Sequence, residues 1–571
     1  MVCARLFALL FLSSCLADHP VYINSAAYNN GSLGAAVNQT FQSSPVTAPV
    51  LNSRKPFAGC DDGSYLFIAP RGEVGHPTLY ILDHNGSLVW TPSESRKQKY
   101  NLQVQQYKGE QYLTWWQGEI AVGGHGDGSH YMLDKHYDLY RKFDKIGGFG
   151  ADLHAFTITA RGTFLATMYE MVQRDMPGRH HIGGKGWVWD CLFAEVELET
   201  AEVLFQWRAS EHFEIFESYA AVKTATRSDP WDWFHINTVD QDAAGNYLIS
   251  SRHLRTVAKV SAKTGEVLWQ LGGKKNSFTD LSSGAATSFI GQHDARWSPD
   301  GTAITLFDNQ GDWYEHTKTQ SQGLRIAIDV AEMTARLETA YIHPDEIIYS
   351  VAQGSYQSLP NSNVLIGYGN NGALAEFSAN GTLLCDALFE PAEAFGSGDV
   401  QSYRDLKFPW TGIPRTKPSV AVEHGIVYVS WLGATEVQSW LVQGSRQELQ
   451  GWKTLGRVEK AGFETGFALQ TLRSRYVRVT ALDAGSQALA ESDLLDLGDE
   501  GDSAEDGELG DGLVEDVGYL QVPLSMALLA MLIGVVLACV LYRKRVLQLF
   551  RRRQQTKYSK LEQMELPDML P

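Results

Sequence analysis

HDARWSPDGTAITLFDN (residues 293–309) and LRIAIDVAEMTARLETAY (324–341) read together as four short β-strands joined by turns. A first strand ends at the turn glycine Gly301. An apolar strand follows. A third carries the pair "ID", and a last strand completes the unit after a further turn. Short alternating runs between turn residues are strand signals.

The same order recurs between about Ser64 and Phe389. Before this copy come SYLFIAP with LYILDHNGSLVW, LQVQQYKGEQYLTWW with HYMLDKHYDLYRKF, LHAFTITARGTFLATMY with LFAEVELETAEVLFQW, and HINTVDQDAAGNYLISS with VAKVSAKTGEVLWQLG. After it come SYQSLPNSNVLIGYG and LAEFSANGTLLCDALF. Six copies of four strands each, with no convincing long amphipathic helix, predict an all-β chain folded as a six-bladed β-propeller.

In a propeller the innermost strand of each blade lines a central channel, so equivalent positions converge. His154 lies eight residues before Gly162, His293 eight before Gly301, and His235 ten before Gly245. Three consecutive blades therefore open with an imidazole. Asn237 stands two residues from His235, which on a strand puts both on one face. Arg252 belongs to the next strand. A guanidinium facing imidazoles makes sense when an anion lies between them. Three histidines could hold zinc, but Arg252 argues against a divalent cation there. A Gly-x-Ser-x-Gly elbow and a phosphate-cradling loop are both absent. What remains is transfer of an anionic group, with one neutral imidazole attacking and the other donors stabilising oxygens. That chemistry needs no cofactor and no metal.

FHINTVDQDAAGNYLISSRH (234–253), KTGEVLWQLGG (263–273) and GQHDARWSPDGTAITLFDN (291–309) resemble the motifs of the arylsulfotransferase family, closest to its fungal, membrane-anchored branch. The resemblance covers roughly Asp61 to Glu390. It implies a six-bladed propeller that moves a sulfuryl group from an aryl sulfate to a phenol through a sulfohistidine, without a nucleotide donor. It places the nucleophile on His293 and further site roles on His235, Asn237, Arg252 and His154. Ser355, in GSYQ, stands where the family has a threonine. Bacterial members carry an extra β-domain before the propeller; here a β-rich segment follows it. Two other readings compete. One is a non-catalytic cell-surface propeller that binds sulfated or phenolic ligands. The other is a quinoprotein dehydrogenase, because KTGEVLWQLGG also resembles a tryptophan-docking repeat in which Trp269 packs between blades. Neighbouring cysteines and a calcium-binding carboxylate set are missing for the last.

The flanks set the expected topology. Residues 1–17 read as a secretory signal, 18–59 as a lead segment, 60–414 as the propeller, and 415–488 as a small β-sandwich resembling a fibronectin type III module. Trp431 and Trp440 are expected in its core. Residues 489–518 read as an acidic, solvated stalk: Glu491 to Asp516 holds twelve acidic residues and no Lys or Arg, a local share of the net charge of −18. Residues 519–542 carry no charge and are long enough to cross a hydrocarbon core of about 30 Å. The basic tail, 543–571, follows and is expected to stay cytoplasmic. This predicts a single-pass type I membrane protein with its ectodomain extracellular or lumenal. The sequons at Asn30, Asn38, Asn85 and Asn380 fit that side. No basic patch outside the tail suggests nucleic acid. The ectodomain keeps Cys60, Cys191 and Cys385, an odd count that allows one disulfide. A closed propeller brings its first and last blades together, so Cys60 is expected to pair with Cys385.

Overall fold

A computed structural model describes residues 14–498 apart from 93–96, 123, 177–183, 313–319 and 469–473. The expected membrane span, the basic tail and most of the leader and stalk lie outside the described residues. Among the described residues, no helix is long and apolar enough to cross a membrane. The chain is all-β; its one α-helical piece there is the turn Ala26–Asn29.

Six successive antiparallel sheets dominate. The second runs through Gln98–Tyr107, Glu110–Val122, His125–Leu133 and Leu139–Phe143. The third has Phe156–Ile158, Thr163–Asp175, Lys185–Glu197 and Val203–Arg208. The fourth has Ile236–Gln241, Tyr247–Ser251, Thr256–Val260 and Val267–Gly272. The fifth has His293–Trp297, Ala303–Asp308, Gln322–Asp329 and Thr334–Tyr341, and the sixth Ser355–Ser358, Val364–Gly367, Ala373–Phe377 and Leu383–Leu388.

The first sheet departs from the repeat reading. Tyr65–Ile68, Tyr80–Leu82 and Leu88–Trp90 give three of its strands, and Leu406–Phe408 supplies the fourth. The first sequence copy therefore holds three strands of that sheet, and its inner edge arrives from beyond the sixth copy. First strands touch between the second and third, the fourth and fifth, and the fifth and sixth sheets; Ile236–Gln241 meets the second strand of the third sheet, and Leu406–Phe408 contacts the first strands of both the second and the sixth sheets.

Hydrophobic clusters fill the spaces between neighbouring sheets. Leu165, Phe193, Val239 and Ile249 join the third and fourth. Trp269, Leu271, Ile304 and Leu324 join the fourth and fifth, so Trp269 does pack between sheets. Leu66, Leu82, Leu365 and Leu374 join the first and sixth. Each large apolar side chain removed from water in this way stabilises the fold by about 1.5–3 kcal/mol. The Cys60–Cys385 disulfide bridges the same first–sixth junction, and Cys191 is a buried free thiol. Asn30, Asn38, Asn85 and Asn380 are all exposed.

The C-terminal β-rich segment forms two further sheets. One holds Ser419–Glu423, Ile426–Ser430 and Thr465–Ala468; the other holds Lys453–Glu459, Ser439–Ser445, Tyr476–Leu482 and Ala488–Glu491. Pairing continues to Asp496, past residue 488. Trp431 and Trp440 are buried in its core with Val427, Val442 and Val479. Ser14–Leu16, near the end of the expected leader, forms a strand that pairs with Thr465–Phe467. The Asp18 carboxylate then accepts from the backbone N–H groups of Phe463 and Glu464.

Candidate active site

His154, His235 and His293 converge where the sequence spacing places them. Each stands at or just before the first strand of the third, fourth or fifth sheet, and all three line one cavity of about 660 Å³. The His154 and His235 rings are 5.0 Å apart, centre to centre. Tyr403 stands edge-on to His154 at 5.6 Å and to His293 at 6.4 Å. Tyr100, Leu153 and Tyr403 line the cavity wall and pack together with Trp116 behind them. The close approach needs glycine: a Cβ on Gly128 would lie 2.6 Å from the Trp116 ring.

The three imidazoles are held by different partners. His154 donates from Nδ1 to Asp152 Oδ2 at 2.8 Å. The same carboxylate accepts from Thr167 Oγ1 and from the N–H groups of Gly126 and His154. Burial works to raise its pKa, but His154 beside it and these donors hold Asp152 well below the carboxylate range. His235 donates from Nδ1 to Asp232 Oδ2 at 2.5 Å. Burial, and then His154 and Arg252 beside it, push His235 well below its ordinary value.

His293 has an amide behind it instead. Its Nδ1 lies 2.8 Å from Asn309 Oδ1. The Asn309 NH₂ donates to the carbonyls of Ser350 and Gln353, which fixes which way the amide points. Nδ1 therefore carries the hydrogen and Nε2 carries the lone pair. The N–H of Gln353 faces Nε2 at 3.2 Å. Burial and then Arg252 hold His293 well below the ordinary imidazole value, so it is neutral at pH 7. Arg252 itself is buried, with Nη2 donating to the Val351 carbonyl and Nη1 3.0 Å from His253 Nε2.

Two expected site residues are elsewhere. Asn237 does not share a face with His235. His235 has φ of +55° and precedes the strand, and the register slips between Ile236 and Thr238, so strict alternation fails. Asn237 is fully buried and donates to the Gln292 carbonyl at 2.7 Å, beside His293. Ser355 is also fully buried. Its Oγ donates to the Asp405 carbonyl and accepts from the Asp405 N–H, which ties the sixth sheet to the segment leading into Leu406–Phe408. Neither lines the cavity.

Sequence reasoning missed Asp152, Asp232 and Asn309. The signal for the first two was local: an acid two or three residues before each histidine. Tyr403, Gln353 and Arg71 also line the cavity and carry no sequence signal of their own. Asp232, His235 and His253 bring one ligand atom each within 4.8 Å of one another and are the set here that could hold a metal. His253 faces Asp232 O with Nδ1 and Arg252 with Nε2, so a cation there would compete with a guanidinium. The other such set, Cys60, Glu376 and Cys385, offers no thiolates because its cysteines are joined.

A family model described as Arylsulfotransferase (ASST) matches residues 103–390, from the second sheet to the end of the sixth. No curated protein matches the chain. Among solved structures, a protein of unknown function from Bacteroides caccae is similar at 12% identity and a TM-score of 0.37, covering 61% of this chain and 99% of that one. A catalytically inactive virginiamycin B lyase from Staphylococcus aureus, with quinupristin, gives 8% identity and 0.29, covering 66% and 95%. A protein from Lactobacillus plantarum gives 11% and 0.29, covering 71% and 99%. Overlaps this low carry no argument about fold or activity.

Proposed function

The chain belongs to the arylsulfotransferase family, and we propose that it moves a sulfuryl group from an aryl sulfate to a phenolic acceptor through a sulfohistidine at His293. One observation carries the reading: a buried, neutral imidazole in the cavity wall whose Nδ1–H is fixed by Asn309, which leaves the lone pair on Nε2, where it accepts from the Gln353 N–H until that donor turns to a sulfuryl oxygen. In the first half-reaction Nε2 attacks sulfur. The bond from sulfur to the aryl oxygen breaks, and that oxygen leaves with the electron pair. His154, with Asp152 accepting at Nδ1, gives its Nε2 proton to the departing oxygen. Arg252 and the N–H of Gln353 stand where the sulfuryl oxygens gather charge. In the second half, an acceptor phenol gives its proton back to His154 and its oxygen attacks sulfur. The N–S bond breaks and its electron pair returns to Nε2.

The six sheets make a six-bladed propeller on this reading, closed through Leu406–Phe408. Asn237 and Ser355 act as braces for the blades. The four exposed sequons, the disulfide and the uncharged run 519–542 support a single-pass type I protein with its ectodomain outside the cytosol. Intact-mass measurement tests the chemistry. Wild-type protein given 4-nitrophenyl sulfate without acceptor should gain one sulfuryl group, mapped to His293 and labile in acid. Saturable binding of aryl sulfates with no mass gain would favour a non-catalytic binding protein instead.

A further inference from the structure

Four amide side chains line the cavity, and three of them are paired. Gln98 accepts from the Tyr100 hydroxyl. Gln353 donates to Gln401, and both accept from Arg71. Asn370 is the fourth. It sits in the turn between the second and third strands of the sixth sheet and is 3% exposed. Its amide makes no hydrogen bond among the described residues, yet it forms part of the cavity wall. The Tyr403 hydroxyl in the same wall is unpaired too, but it is sealed from the space; the Asn370 amide is not.

The turn around this amide is fixed on both sides. Gly369, one residue before, accepts from the Ser402 N–H. Asn371, one residue after, donates to Tyr349 O and Ser350 Oγ and accepts from the Gly396 N–H. Asn371 therefore braces the fold with its amide, and Asn370 does not. Gly398 stands beside Asn370 with φ of +73°. A Cβ there would lie 3.3 Å from both amide atoms, so glycine leaves that approach open. A ligand that fills the cavity displaces water from the amide and must replace its hydrogen bonds. The amide is uncharged and presents an acceptor beside a donor. A carboxylate would meet Nδ2 and be repelled at Oδ1. A ligand carboxamide meets both ends at once. The cavity has room for one: about 660 Å³ suits a substituted aryl ring better than a bare phenol.

Resting on the transfer reading, we propose that Asn370 selects the aryl substrate, a phenol that carries an uncharged carboxamide. Asn370 Oδ1 accepts from the carboxamide N–H, and Nδ2 donates to its carbonyl. Tyr100, Trp231 and Tyr403 supply aromatic wall for the ring. Asn370 sets specificity and touches no reacting atom.

The test is a binding ratio on the full-length chain. Hydroxybenzamide and hydroxyacetophenone have nearly the same shape, but the ketone carries a methyl where the amide carries its donor. A wall without a polar partner favours the ketone, the less hydrated of the two. Calorimetric titration with the 3- and 4-hydroxy isomers should show the wild type preferring the amide by about tenfold in at least one isomer. In Asn370→Leu, which keeps the size and removes both ends, that ratio should fall to within about twofold. Asn370→Asp keeps an acceptor for the N–H and should retain a preference. A wild-type ratio near one for both isomers overturns the proposal, and so does a ratio that survives in Asn370→Leu. Binding needs no turnover, so a missing sulfohistidine sinks the transfer reading while this ratio still judges Asn370.

Discussion

Three imidazoles meet in one cavity, yet two are backed by carboxylates and one by an amide. His154 leans on Asp152 and His235 on Asp232; His293 leans on Asn309. A carboxylate accepts an imidazole proton and favours the charged ring, which suits a group that carries protons. An amide fixes the tautomer while adding no charge. His293 therefore keeps a lone pair on Nε2, and His235, although Asp232 backs it, is also held well below the ordinary imidazole value by burial, so the amide distinguishes His293 by adding no charge behind the ring. On this comparison the nucleophile is the imidazole with the least electrostatic help, and the difference can be tested.

The largest effect is expected from His293→Ala, which should remove both transfer and the mass gain. Asp152→Asn should keep the mass gain and slow it, by about 10- to 100-fold, as for other residues that orient a functional imidazole. Product assay and intact mass on the two variants decide the matter. A sulfuryl group found on His154 in the His293→Ala variant would reverse the roles and break the comparison.

Asn309→Ala comes next. It frees the His293 ring to take either tautomer and leaves the Ser350 and Gln353 carbonyls without their donor. The rate of sulfohistidine formation should fall about 10- to 100-fold, with a stability loss of about 1–3 kcal/mol from the orphaned carbonyls. A stability loss with no change in rate would show that the amide braces the fold and leaves the chemistry alone.

The pH dependence sharpens the same contrast. Burial and Arg252 hold His293 far below 6.5, so protonation of the nucleophile should not lower the mass-gain rate as pH falls from 7 to 6. Half-loss near 6.5 would mean that His293 titrates normally. Stability should behave differently. His253 and His130 are pushed down to about 3 by burial, against an ordinary value of 6.5. The unfolded chain takes up these protons below 6.5, and the folded chain refuses them until about 3. Stability is therefore full above 6.5 and declines through this window in acid, by about 1.4 kcal/mol per pH unit for each group. Denaturant midpoints from pH 7 to 4 measure it, and a flat profile would refute it.

The convergence of His154, His235, Arg252 and His293 was legible because a repeat with fixed turn spacing carries position as well as type. The disulfide was legible for the same reason, since the first and last copies of the repeat meet, as the hydrophobic cluster and the Cys60–Cys385 bond at that junction show. The backing residues were not. Asn309 follows the strand Ala303–Asp308, sixteen residues after His293, and only the pairing of that strand with His293–Trp297 brings them together. Leu406–Phe408 was hidden further still: three residues near the end of the repeat region complete its first sheet, and no local pattern announces a partner that far away. Asn237 failed for a third reason. Alternation holds only where the ladder is regular, and the register slip at Ile236 turned an inward residue into a brace.

The smallest effect belongs to Ser355, the residue whose family likeness pointed to the site and whose geometry points away from it. Its hydroxyl both donates to and accepts from the Asp405 backbone, at 3.0 and 3.2 Å. Gln353, two residues earlier, is the one that reaches the cavity. Ser355→Ala removes one buried pair of hydrogen bonds and leaves the Asp405 N–H and carbonyl without that partner. A loss of about 1–3 kcal/mol follows, read as a lower denaturant midpoint. The carboxylate-backed and amide-backed histidines are untouched, so the sulfohistidine should form at the wild-type rate. Ser355→Thr keeps the hydroxyl but adds a methyl where Gly367 and Asp405 already crowd the site; a Cβ on Gly367 would lie 2.6 Å from Ser355 Oγ. It should therefore be no more stable than the alanine variant. A tenfold fall in sulfohistidine formation in Ser355→Ala, at unchanged stability, would return this residue to the chemistry and show that the ring of imidazoles is incomplete without it.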